Sequence, residues 1–140
     1  MQIKINTNAK EIAKRVKKKG KALSESVKKA LSITAQAGVN IILDRTKKGQ
    51  GYDKLAFKSY NSTYAAFRAG KGRGSVPDLN FTGKMLGSMT TKASSKQAEI
   101  FFRGATESGK AAMNDKKRPF FGFNNSEEEK LGRIFFRALK

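Results

Sequence analysis

The chain has 140 residues, which suits one domain with a real but modest core. Thirty Lys and Arg face 11 Asp and Glu, a formal net charge of +19, so the partners that composition favours are polyanionic: nucleic acid, an anionic membrane or an acidic protein surface. Cys and His are both absent, which excludes disulfides, thiolate nucleophiles, Cys/His metal sites and the side chain best suited to proton transfer at neutral pH.

Hydrophobic residues make up 38% of the chain, below the usual globular share, and a chain short of apolar residues often completes its burial against a neighbouring subunit. No apolar run approaches the ~18 residues that span a bilayer; the longest, Val39–Leu43, is interrupted by Asn40. The N-terminus lacks the apolar core of a signal peptide, so a mature product made in the cytoplasm is expected.

In chain order, Gln2–Asn6 alternates, with Ile3 and Ile5 on one side, and predicts a short strand or extended arm. From Asn8 to about Thr46 the chain reads as helix. Ile12, Val16, Leu23, Val27, Leu31, Ala35, Val39 and Ile42 form one stripe, with a weak point at Lys19 and Gly20 where it could break in two. Asn8 and Glu11 resemble a capping box. Leu55–Phe67 carries Phe57, Tyr60, Tyr64 and Phe67 at spacings that predict one helical face. Ala69–Pro77 reads as a flexible basic loop.

Leu79–Met89 predicts a short helix or turn leading into a strand. Ser88–Lys92 and Ala98–Arg103 should then pair across a polar turn at Ala93–Lys96. Thr106–Asn114 is a short helix candidate, and Arg118–Phe123 should be extended. The last helix is the clearest. Ser126 and Glu129 offer a capping box, and Leu131, Ile134, Phe135, Ala138 and Leu139 make one apolar face. Glu127, Glu128 and Glu129 near its start and Arg137 and Lys140 at its end suit the helix dipole. The expected fold is therefore α+β: a small antiparallel sheet packed with a long N-terminal helix and a C-terminal amphipathic helix. One domain spans residues 1–140, with a basic arm and helix over 1–46 and an α+β body over 47–140 that carries the flexible loop 69–77.

Charge is concentrated early. Residues 1–50 hold thirteen basic and three acidic side chains, against seven and two over 51–95 and ten and six over 96–140. Lys14, Arg15, Lys17, Lys18, Lys19 and Lys21 lie on helix faces opposite the apolar stripe. They are candidates for DNA phosphates or an acidic partner, as are Lys71 and Arg73 in the loop. The alternative is a solvated helix face. Gly70–Gly74 lacks the Gly-Lys-Ser/Thr ending and preceding strand of a nucleotide-phosphate loop, so a plain loop is the better reading. The consecutive glutamates 127–129 point to different helix faces and read as helix-start residues. No acid–base or nucleophile constellation is visible, no cofactor or metal is expected, and the chain reads as a non-enzyme.

The order of the motifs carries more than any one of them. Arg45 ends the long helix and Gly49–Gly51 follows. Next come Phe57–Tyr60, Pro77-Asp78-Leu79, then Phe81-Thr82-Gly83-Lys84-Met85-Leu86 with Ser88-Met89. A strand at Glu99–Phe102 and the stretch Glu107–Asn114 lead to Arg118-Pro119-Phe120-Phe121-Gly122. Over roughly residues 40–140 this resembles the small tail-completion, head–tail neck and virion-morphogenesis proteins of tailed bacteriophages. Two features depart from their commoner pattern: the strongly basic N-terminal helix, and the lack of a His near Glu107. The resemblance implies a structural virion protein made in the host cytoplasm. It would form a ring of six or twelve copies and join connector, portal-side or tail-tube proteins, with possible non-specific contact to genomic DNA and no membrane. It also implies subunit or partner contacts at Thr82, Gly83, Met85, Leu86, Arg118, Pro119, Phe120 and Phe121. The alternative reading is a small basic DNA-binding protein.

Overall fold

The computed structural model describes residues 1–6 and 20–139. The capping pair Asn8/Glu11 and the basic residues Lys10, Lys14, Arg15, Lys17, Lys18 and Lys19 lie outside the described residues, as does Lys140. The architecture is α+β, with a long helix and a C-terminal helix packed on a three-stranded antiparallel sheet.

The sheet comprises β1 (Gln2–Asn6), β2 (Met89–Ala93) and β3 (Gln97–Phe102), in the order β1-β3-β2. The hairpin turn is tied by Ser94, whose N–H donates to the Gln97 carbonyl at 2.8 Å. In the β1–β3 register Ile3 sits opposite Ile100 and Ile5 opposite Ala98. The two-residue alternation therefore puts Ile3, Ile5, Ala98, Ile100 and Phe102 on one face. That face meets α1 (Gly20–Lys47). Val27, Ala30, Leu31, Thr34, Ala35, Gly38, Val39 and Ile42 recur every three or four residues and are buried, as a helix stripe facing a core must be. Thr34 is buried without loss because its hydroxyl donates to the Ala30 carbonyl at 2.7 Å. The described helix runs unbroken from Gly20.

The second helix, α2 (Ser62–Gly70), begins seven residues later than its aromatic spacing predicts. The Asn61 side chain accepts the Tyr64 N–H at 2.8 Å and starts the helix there. Upstream, the Phe57 N–H donates to the Gly49 carbonyl at 2.7 Å, and Gln50 bridges Ala56. These bonds hold a turn that sends the Phe57 ring into the core, off the helical face it was expected to share. The loop expected from Ala69 starts after Gly70. The N–H groups of Lys71, Gly72 and Arg73 fold back onto the carbonyls of Arg68 and Ala69.

A single turn, α3 (Lys84–Gly87), leads into β2. Helix α4 (Ala105–Lys117) runs three residues further than predicted. Helix α5 (Asn125–Ala138) buries Leu131 and Phe135 and packs on α1. Its capping box uses Asn124 and Glu127 instead of the expected Ser126 and Glu129. The Asn124 side chain accepts the Glu127 N–H at 2.9 Å, and the Glu127 carboxylate accepts the Asn124 N–H at 3.1 Å.

Candidate functional site

Three arginine clasps hold the loops together. Arg45, in the last turn of α1, is buried and turned inward. It pairs with Glu127 and donates to the carbonyls of Phe120 at 2.6 Å and Gly122 at 2.9 Å. The Arg118 guanidinium donates to the carbonyls of Lys58 at 2.7 Å and Ser59 at 3.1 Å, and lies 4.7 Å from the centre of the Tyr60 ring. A third buried arginine, Arg68 on α2, approaches the same ring at 4.9 Å. It pairs with Asp78 at 3.0 Å and donates to the Asn80 carbonyl at 3.2 Å. Burial opposes the charge on Arg68, but Tyr64, Tyr60 and Asp78 more than offset it, and its pKa lies above the ordinary value. Burial also raises the pKa of Tyr60, against the Leu79 N–H and Arg68, which lower it. Tyr60 therefore stays a neutral phenol, accepting the Leu79 N–H at 3.1 Å.

The expected contact residues are mostly engaged within the chain. Phe120 and Phe121 are buried against Phe102, with ring centroids 6.1 and 4.8 Å away. The Asp115 carboxylate accepts both their N–H groups, at 3.1 and 2.9 Å. Pro119 is half-buried, and its carbonyl accepts the Tyr52 N–H at 3.1 Å. A Cβ on Gly122 would lie 2.7 Å from the Tyr52 ring, which accounts for a glycine after the two phenylalanines. Met85 is buried and Leu86 half-buried. Gly83 caps α3 with a φ of 81°, a conformation that favours glycine. Thr82 is exposed, its hydroxyl accepting the Lys84 N–H at 3.3 Å.

The two motif segments, more than thirty residues apart in sequence, meet in space. Thr82, Gly83, Met85 and Arg118 line one open groove of about 700 Å³ between α2 and α4. Tyr60, Tyr64 and Phe81 form its aromatic wall, and Lys58, Lys110 and Lys117 are exposed along it. Of the basic candidates, Lys21 is exposed at the start of α1, away from this groove's lining. Lys71 and Arg73 are exposed beside Phe67 and Phe81. Sequence reasoning placed Arg45 at the end of the long helix without a role and missed Arg68, because nothing local marks an arginine whose partners are carbonyls and a carboxylate brought in by other loops. Among the described residues no group of three or more Asp and Glu side chains could hold a metal, and no helix is long and apolar enough to cross a membrane.

No protein-family model, curated protein or solved structure matches the chain.

Proposed function

We propose that the chain is a structural protein of a tailed-bacteriophage virion, a ring-forming neck or tail-completion component that joins head to tail and does no chemistry. Its partners would be further copies of itself and connector, portal-side or tail-tube proteins. The observation that carries this reading is the motif order running from Phe81–Leu86 to Arg118–Gly122. The juxtaposition of those two segments across one groove supports treating them as a single unit. The burial of Arg118, Phe120 and Phe121 gives that unit a rigid base, while Thr82 and the lysines of the groove stay open to a partner. The excess of cations favours a second reading, a small DNA-binding protein.

Electron microscopy of lysates from a phage carrying an early stop codon in this gene tests the first reading. Full heads beside separate, unjoined tails are expected. Overlong tails would make the protein a tail terminator. Intact infectious particles would remove the structural role and leave DNA binding to explain the charge.

A further inference from the structure

The aromatic residues of α2 do not belong to the core. Tyr60, Tyr64, Phe67 and Phe81 form a row of four rings outside it. The row arises from two local causes. Asn61 starts α2 so that Tyr64 and Phe67, three residues apart, share a face. The chain then reverses through Lys71–Asp78, held by Arg68, and returns Phe81 against Phe67. Tyr64 and Phe67 have centroids 6.2 Å apart with planes 26° from parallel. Phe67 and Phe81 are 5.5 Å apart at 28°. Phe67 is 50% exposed, so the row presents apolar ring surface to water.

Cations stand beside these rings. Lys71 Nζ lies 5.9 Å from the centre of Phe67, and the Arg73 guanidinium lies 5.8 Å from the centre of Phe81. Among the described residues no carboxylate pairs with either. The nearby carboxylates are already taken: Asp78 by Arg68 at 3.0 Å, and Glu107 by Lys110 at 3.1 Å. The row continues into the groove, where Tyr60, Tyr64 and Phe81 line the wall and Lys58 and Lys117 add charge beside the paired Lys110 and Glu107.

We infer that this face binds single-stranded nucleic acid, with bases stacking on Phe67 and Phe81 and phosphates meeting Lys71 and Arg73. A single strand offers what the face lacks: flat apolar surfaces alternating with anions. A duplex keeps its base faces inside its own stack and can use only the cations. An acidic protein segment also satisfies the cations, but the electron-rich ring faces repel carboxylates. The site is independent of the virion role, since it rests on the ring row and its cations and not on the motif order.

The test is fluorescence anisotropy on the full chain, with a labelled oligothymidylate of about 16 nucleotides and the same strand paired with oligoadenylate, over a range of salt. The single strand should bind more tightly than the duplex. Phe67→Leu and Phe81→Leu keep an apolar side chain but remove the ring. Each should weaken single-strand binding about tenfold and leave duplex affinity, the internal control for folding, unchanged. Replacing Lys71 and Arg73 together by Ala should reduce the slope of log affinity against log salt by about 1.4. Equal affinity for the two forms, or ring variants that bind oligothymidylate like the native chain, would reduce the effect to general charge attraction and overturn the inference. Displacement of oligothymidylate by polyglutamate at equal charge concentration would also overturn it, and assign the face to an acidic protein partner.

Discussion

Arg45 and Phe121 anchor the same short segment in different ways. Arg45 holds the backbone carbonyls of Phe120 and Gly122, while Phe121 fills the space above Phe102. Replacing Arg45 by Met would leave those carbonyls without the guanidinium and the Glu127 carboxylate without its cation, with only the Asn124 N–H still donating to it. Breaking a buried pair from one side costs about 3–5 kcal/mol. Glu127 retains some exposure, so Arg45→Met should lie near the lower end of that range in urea unfolding. A loss below about 1 kcal/mol would mean that water replaces the guanidinium at little cost. Phe121→Ala acts through volume instead. It should cost about 3–5 kcal/mol, because the ring is buried among Phe102 and Phe120. An unchanged melting temperature would show that the ring is dispensable to the core.

The elements differ in how far local pattern determines them. The α1 stripe was legible from Leu23 onwards because one face of a long helix meets one face of a sheet, and period alone defines it. The hairpin was legible for the same reason, with alternation on both sides of a polar turn. Helix α2 was misread because the spacing of Phe57, Tyr60, Tyr64 and Phe67 is helical throughout, yet Phe57 is held in a turn by the Gly49 carbonyl. The α5 cap was misplaced by two residues for a similar reason. Asn124 and Ser126 each stand three residues before a glutamate, and both fit the local rule. Arg45, 82 residues away from Glu127, engages the first pair. Asn124→Ala should therefore cost about 1 kcal/mol or more, since the Glu127 N–H would lose its side-chain acceptor while the Glu127 carboxylate keeps its bonds from the Asn124 N–H and Arg45. Ser126→Ala should change stability by less than about 0.5 kcal/mol. Chemical denaturation of the two variants side by side checks the assignment, and the reverse ranking would restore Ser126 as the cap. The groove and its ring row were only half legible: the aromatic spacing gave Tyr60, Tyr64 and Phe67, but Phe81 joins them by a chain reversal that no periodicity encodes.

On the scale of the whole molecule, the charge is a load that the fold does not offset internally. Thirty cations stand against 11 carboxylates, and several carboxylates among the described residues are committed to structure: Glu127 to Arg45, Asp78 to Arg68, Asp115 to backbone N–H groups. The remaining cations repel one another over distances set by salt, about 30 Å at 0.01 M and about 10 Å at 0.1 M. Raising sodium chloride across that range should therefore raise the melting temperature. Each kcal/mol of relieved repulsion is worth about 3–5 °C in a domain of this size, so a rise of several degrees is expected. The buried clasps are shielded from added ions by the protein around them and should lose little over the same range. A melting temperature that falls with salt would mean that attractive surface pairs outweigh the repulsion. A rise would carry a consequence for assembly. Copies of this chain placed side by side in a ring would concentrate the same charge, so ring formation should require salt, a polyanion or an acidic partner. Light scattering at 0.01 M and 0.1 M salt, on the same samples as the melts, would show whether association follows the same screening.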